Sequence, residues 1–183
     1  MSDIGSGTGI LSEILLKNGN IVFGIEPNEE MRRTAERSLS NYPNFRSING
    51  SAESMGIPDT SVDFIIAAQS FHWFDPHRAK IEFRRVLKTE GWVVLIWNTR
   101  KSSTPFLRAY DELVKELSIV ERRVRHEDLS SKTLRDFLGD YREVKLPNFQ
   151  DLDYEGLVGR ILSASYTPLP GEPQHDQVMM RLR

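Results

Sequence analysis

An acid and three glycines stand at alternate positions near the start of the chain: Asp3, Gly5, Gly7 and Gly9, with Ile4, Ser6 and Thr8 between them. A short apolar stub precedes them, and residues 10–16 (ILSEILL) follow at once. The pattern predicts a tight turn between a strand and a helix. Glycine lets the backbone take positive φ and lets a ligand approach with no Cβ in the way. The unpaired N–H groups of the new helix open into the same space, so the turn suits a nucleotide-like cofactor. Spacing narrows the choice. The dinucleotide fingerprint G-x-G-x-x-G puts its third glycine five residues after the first, where this chain has Ile10. A carboxylate two residues before the first glycine would repel a pyrophosphate. It suits a ligand carrying a positive ammonium group.

Three further segments follow in order. Residues 21–25 (IVFGI) form a short apolar run that reads as a buried parallel strand ending in Glu26, 21 residues after Gly5. An acid at the tip of a second strand can accept hydrogen bonds from ribose hydroxyls. Glu26 is free for that role because Asn28 is the better N-cap for the next helix, and Glu29 and Glu30 supply its first-turn acids. Pro27 is then a stiff residue between strand end and cap. Residues 45–48 read as a third strand running into the loop 49–58 (NGSAESMGIP), which carries Ser51, Ala52 and Glu53. Residues 62–68 are almost continuously apolar, as a strand covered on both faces is. They open into Gln69, Phe71, His72, Trp73, Phe74 and Asp75. Ligands of open α/β sheets bind beyond the carboxyl ends of the strands, which puts this aromatic cluster and its one histidine beside the cofactor.

The Asp3–Gly9 turn resembles motif I of the class I S-adenosylmethionine-dependent methyltransferases. The resemblance implies that Gly5, Ser6, Gly7 and Gly9 wrap the amino-acid end of S-adenosyl-L-methionine and that Asp3 faces its ammonium. It also implies that Glu26 holds the ribose and that Pro27 packs on the adenine. The 49–58 loop resembles the family's Gly-Asp-Ala-Glu-x-Leu-Pro-Phe, in which an acid and a backbone amide meet the adenine. Here Ser51 stands where the acid is usual, so its bond would be neutral and weaker; Ala52 and Glu53 complete that segment. The run Gln69-x-x-His72-Trp73-Phe74-Asp75 looks like the branch around trans-aconitate methyltransferase. This adds Gln69 to the cofactor side and Phe71 and Trp73 to the substrate side, although such rings also serve as core residues at a strand–helix corner. His72 is the nearby group suited to act as a general base at neutral pH. Residues 85–92 (RVLKTEGW) resemble the family's Arg-Val-Leu-Lys-Pro-Gly-Gly, a structural segment leading into a fifth strand at 92–97.

Positioning these groups takes an α/β, Rossmann-like sheet with helices on both faces; the resemblance implies the strand order 3-2-1-4-5-7-6, with strand seven antiparallel. Only residues 1–4 precede the glycine turn, and nothing follows Arg183 to make the last strand. The chain therefore reads as a methyltransferase shortened at both ends, with an incomplete first strand. An exposed fifth-strand edge would then be open to self-association. One domain over residues 1–183 is expected, with a cofactor-binding core at 1–100 and a substrate-covering region at 101–183. In the latter, residues 105–124, 129–138 and 152–163 have helical spacing, 141–146 alternates as an edge strand does, and 167–173 form a loop before a last helical stretch. Tyr154, Arg160, Ser163 and Tyr166 are candidate lid residues. Helix 76–87 is expected to bury Ala79, Phe83, Val86 and Leu87, leaving Glu82 and Arg85 largely to solvent.

Composition excludes several alternatives. Hydrophobic residues make up 39% and charged residues 27%, with no low-complexity tract, as in globular domains. There is no cysteine, hence no disulfide or thiolate chemistry, and His72, His77, His126 and His175 lack ligand spacing, so no metal site is expected. No apolar run approaches the ~20 residues of a membrane span, and no signal peptide opens the chain; a cytoplasmic location follows. A net charge of −2 argues against a nucleic-acid surface, and the basic run 122–126 reads as a solvated helix face. The first expectation is a methyltransferase acting on a small molecule; a truncated binding module with weak or no activity comes second, and a nicotinamide-dependent oxidoreductase third.

Overall fold

The computed structural model describes residues 1–99, 101–120, 130–162, 167–168, 171–172 and 175–181. They fall into two compact units: Met1–Asn98 with His126–Arg142, and Thr99–Arg125 with Glu143–Arg183.

The first unit is a parallel sheet of β1 (Ser2–Ile4), β2 (Val22–Ile25), β3 (Phe45–Ile48), β4 (Val62–Ala68) and β5 (Leu87–Ile96), in the order β3-β2-β1-β4-β5. The short opening stub is its central strand: Ser2 pairs with Phe23 and with Ile65, and all three β1 residues are buried. Strand β5 begins earlier than its apolar run predicts, at Leu87, with an irregularity between the Val62 and Phe64 pairings that carries it past Gly91.

Strand alternation divides the core between the two faces. Val22 packs with Leu16 of α1 (Ile10–Lys17) and with Leu39, which ends α2 (Glu29–Ser38). Ile25 faces the other way, into the main cluster with Met55, Ile65, Phe71 and, from α3 (Pro76–Val86), Phe83. Helices therefore cover both faces, as period-2 burial on a central strand requires. The helix starts follow their caps. Asn28 Oδ1 accepts from Met31 N at 3.1 Å, and Asp75 Oδ1 accepts from His77 N and Arg78 N, with Pro76 at the first position.

Helix α5 (Ser131–Leu138), capped by Ser130, belongs to this unit and not to the C-terminal region expected to begin at residue 101. Its Phe137 lies edge-on to Phe71 at 4.7 Å and to Phe83 at 5.5 Å, which gives its amphipathic face a place to bury. Lys80 Nζ donates to Asp136 O at 2.5 Å. Glu82 and Arg85 of α3 depart from the solvated face expected of them. Glu82 accepts from Met55 N at 2.7 Å and pairs with Arg85, which also reaches Asp59.

In the second unit, α4 (Pro105–Val120), α6 (Tyr154–Leu162) and α7 (His175–Arg181) bury Leu113, Ile161 and Val178 against one another. The strand expected at 141–146 does not form. Its residues pair with no strand and are exposed throughout, Leu146 at 81%, so alternation there had no sheet to join. Of the lid candidates, Tyr154 and Arg160 are exposed, while Ser163, Tyr166 and the basic run 122–126 lie outside the described residues. Among the described residues no helix is long and apolar enough to cross a membrane, and no cluster of three or more His, Asp or Glu could hold a metal ion.

Candidate functional site

The turn after β1 is fixed from below by the neighbouring strand. Gly5 N and Ser6 N both donate to Ile25 O, at 2.8 and 3.2 Å, and Gly9 N closes back on Ser6 O at 2.9 Å. All three glycines have positive φ, yet they serve different ends. A Cβ on Gly5 would stand 2.6 Å from Ser70 Cβ, and one on Gly9 would stand 2.8 Å from Leu39. These two allow close packing inside the protein. At Gly7, φ is +55° and an added Cβ would meet nothing within 4 Å. Gly7 is the glycine whose missing side chain leaves room outside the fold.

Glu26 borders that room. Its carboxylate accepts from Gly7 N at 3.0 Å through Oε2 and from Asn28 N at 2.9 Å through Oε1, and the residue is 7% exposed. The second-strand acid is thus tied to the first-strand turn, and each oxygen keeps a further lone pair for a hydroxyl donor. Arg32 Nη1 donates to Glu26 O and to Asn49 Oδ1, at 3.0 and 3.4 Å, joining strand tip to loop. Pro27 is exposed at the same tip.

Asp3 is placed differently from a residue that contacts a ligand's ammonium. It is 1% exposed, flanked on both sides by paired strands, and its Oδ2 accepts from Ser12 Oγ at 2.7 Å. This bond anchors α1, whose N-cap Gly9 has no side chain to offer. Burial pushes the Asp3 carboxyl up to about 6, against the opposing effect of its Ser12 hydrogen bonds.

The 49–58 loop curls on itself: Ser51 N and Ser54 N exchange bonds with each other's carbonyls, and Ser51 Oγ accepts from Glu53 N at 3.3 Å. Ala52 is buried in the core, so only its backbone can face a ligand. The Glu53 carboxylate spans to Asp75 N at 2.8 Å.

At the end of β4, Gln69 adopts φ +56°, a conformation that costs a non-glycine residue about 1–3 kcal/mol and recurs at functional turns. Its side chain is exposed and its N–H donates to Ile96 O. Ser70 follows with its Oγ on Ile4 O at 2.7 Å, both buried, which satisfies the last carbonyl of β1. Phe71, His72 and Trp73 form a single 3-10 turn. Phe71 is a core ring, 2% exposed and edge-on to Phe74, Trp97 and Phe137, which corrects its expected place on the substrate side. Trp73 is 61% exposed, and half-buried His72 lies 5.0 Å from it, ring centre to ring centre.

A family model described as a methyltransferase domain matches residues 2–95. The chain belongs to this methyltransferase family. An uncharacterised methyltransferase of Mycobacterium tuberculosis H37Rv is 37% identical over 112 residues, 61% of this chain and 45% of the relative. A malonyl-[acyl-carrier protein] O-methyltransferase of Halalkalibacterium halodurans is 32% identical over 140 residues, 72% of this chain and 50% of the relative. The chain spans about half the length of the curated relatives it matches. Among solved structures, a candidate type II methyltransferase of Anaeromyxobacter dehalogenans superposes with a TM-score of 0.72 over 100% of this chain and 79% of its own, at 24% identity, a likeness of fold. A SAM-dependent methyltransferase of Aquifex aeolicus gives a TM-score of 0.51 at 26% identity, over 57% of this chain and 60% of its own. The observed order β3-β2-β1-β4-β5 is that of the first five strands expected of a class I methyltransferase.

The methyltransferase fold thus gathers Gly5, Ser6, Gly7, Gly9 and Glu26 at one turn, while Ser51, Glu53, Gln69, His72 and Trp73 sit on the loops after β3 and β4. Sequence reasoning missed Ser12, Arg32 and Ser70, which hold Asp3, the Glu26 carbonyl and the β1 carbonyl. Serines and an arginine with no motif of their own gave no signal, since each acts on a group in another element, six to 66 residues away.

Proposed function

We propose that this methyltransferase moves the methyl group of S-adenosyl-L-methionine to a small-molecule acceptor. The reading is carried by one observation. At Gly7 the missing Cβ leaves open space, and the Glu26 carboxylate borders it with acceptor capacity to spare. That cradle fits a ligand whose amino-acid end follows the glycine backbone and whose ribose hydroxyls donate to Glu26. When bound, the cofactor supplies an electrophilic methyl on a positive sulfonium.

The chain's own residues then have limited tasks. Gly5, Ser6, Gly7 and Gly9 give shape and backbone, Glu26 holds a diol, and the buried Asp3 charge favours a nearby ammonium through a medium of low dielectric. Pro27 and the backbone of the Ser51–Glu53 loop would flank the base. Gln69, His72 and Trp73 stand at the end of β4, where the acceptor must be aligned with the methyl; orientation of this kind can supply about 7–11 kcal/mol of a barrier. With a carboxylate acceptor no proton has to move, and His72 orients. With a phenol or carbon acid, the His72 imidazole would take the acceptor's proton as the methyl C–S bond of the cofactor breaks, with S-adenosylhomocysteine as the leaving group. The malonyl carrier-protein O-methyltransferase among the relatives favours an acid as acceptor.

The test is methyl transfer from radiolabelled S-adenosyl-L-methionine to a panel of free dicarboxylic acids, their carrier-protein thioesters and phenols. Label should enter at least one acceptor, and Glu26→Ala should raise the cofactor KM by one to two orders of magnitude. Absence of transfer to any acceptor, with the protein folded, contradicts the proposal, and transfer to the carrier-protein thioesters alone contradicts the small-molecule acceptor.

A further inference from the structure

The amino end of α3 carries half of a capping box. Asp75 is the N-cap, and its Oδ1 accepts from His77 N and Arg78 N. In the complete motif a Glu or Gln at the third helical position returns a bond to the N–H of the cap residue. Here the third position is Arg78, which has no acceptor to return. The missing half comes from another element: Glu53 Oε1 accepts from Asp75 N at 2.8 Å, across 22 residues. Glu53 is itself held, because its N–H donates to Ser51 Oγ and the loop is closed by the Ser51–Ser54 pair. The bond therefore joins the loop after β3 to the segment that carries His72 and Trp73.

The other end of that segment is tied too. Ser70 Oγ donates to Ile4 O at 2.7 Å, and Trp73 N and Phe74 N return to Ser70 O and Phe71 O. Between Ser70 and Asp75, Phe71 and Phe74 are set by core rings, while His72 is half-buried and Trp73 exposed. The turn is thus clamped upstream to the tip of β1 and downstream to the loop after β3, two elements of the cofactor side.

We propose that Glu53 is a positioning residue: its carboxylate holds Asp75 N and so fixes the His72–Trp73 turn against the cofactor loop. Glu53 then acts on the acceptor side through the turn, not by touching the cofactor as its place in the sequence motif implied. The role in methyl transfer rests on the proposed function; the clamp itself does not. A carboxylate on a backbone N–H is a charge-assisted bond, and an amide oxygen of the same reach can replace it.

The experiment compares Glu53→Ala and Glu53→Gln with the unmodified chain in three measurements. Amide exchange reads Asp75 N–H, 1H–13C spectra read the His72 ring (assigned with His72→Asn), and calorimetry reads S-adenosylhomocysteine. In Glu53→Ala, Asp75 N–H should exchange about ten- to hundredfold faster, the loss of one charge-assisted bond, and the His72 signals should shift. Affinity for S-adenosylhomocysteine should stay within about threefold. Glu53→Gln should restore both the protection and the His72 spectrum. Unchanged exchange in Glu53→Ala overturns the clamp. Faster exchange with the His72 signals unmoved reduces Glu53 to a helix cap and overturns the positioning role, and loss of ligand affinity in both variants places Glu53 on the cofactor instead. If the unmodified chain binds no S-adenosylhomocysteine, the proposed function fails, while exchange and the His72 spectrum still decide the clamp.

Discussion

Asp3 is the place where the fold keeps a charge in a costly position, and Asp3→Asn measures that cost. The carboxyl is 1% exposed and its pKa is raised from 3.8 to about 6, first by burial, with the nearby Glu26 charge adding to it and the Ser12 bonds opposing. A raised carboxyl means that the native state binds more protons than the unfolded chain between these two values. Stability from this group is therefore complete below pH 3.8 and is lost as pH rises through about 6. A shift of roughly two units corresponds to about 3 kcal/mol. Asparagine is neutral at every pH and keeps an oxygen for Ser12 Oγ, but its buried NH2 brings a desolvation cost of about 1–3 kcal/mol, which does not vary with pH. The stability difference between Asp3→Asn and the unmodified chain should thus move by about 2–3 kcal/mol in favour of asparagine from pH 4 to pH 7. Urea unfolding at half-unit pH steps, with the midpoints extrapolated linearly, measures it. A difference that stays constant with pH, or that moves in favour of aspartate, refutes the account of Asp3 as a desolvated carboxyl. The same variant should bind S-adenosylhomocysteine about three- to tenfold more weakly at pH 7.5, through loss of a buried negative charge.

Gly5→Ala and Gly7→Ala should part company in thermal unfolding. Both put a Cβ on a left-handed residue, worth about 1–2 kcal/mol, but only at Gly5 does the new carbon collide with a neighbour, Ser70 Cβ at 2.6 Å. Gly5→Ala should lose about 1–3 kcal/mol more than Gly7→Ala; equal losses would mean that the turn is not packed as described. The outer edge of β5 carries Trp92 at 67% exposure and Ile96 at 40%, and a hydrophobic edge strand invites pairing. Sedimentation should show self-association that Trp92→Lys weakens, and a chain that stays monomeric at high concentration, with or without the lysine, would show that edge to be inert.

The type of most sheet elements was legible because the strand runs advertise themselves locally, whereas their order in the sheet came from the family resemblance. The near-continuous apolar run of β4 and the short runs ending at Ile4 and Ile25 can be satisfied only by burial on two faces. The Asn28 cap was legible for the same reason, since it acts within three residues of itself. What escaped were the decisions made across the chain. Residues 141–146 alternate like a strand, but alternation has meaning only beside a partner. Phe71 belongs to an aromatic motif, yet Phe137, 66 residues further on, determines that its ring is core. Asp3 and Glu53 were legible as acids at motif positions. Their hydrogen-bond partners, Ser12 and Asp75, redirect one to a helix start and the other to a helix cap.

The central claim is that the turn around Gly7, backed by Glu26, holds S-adenosylmethionine. Titration calorimetry of the folded chain and of Gly7→Val with S-adenosylhomocysteine tests it most directly, because a Cβ at this position meets no protein atom within 4 Å. Its folded state is checked by circular dichroism. The account predicts micromolar binding by the chain and none by the valine variant, with native secondary structure in both. Binding that survives Gly7→Val undiminished, or a folded chain that binds nothing, would contradict it.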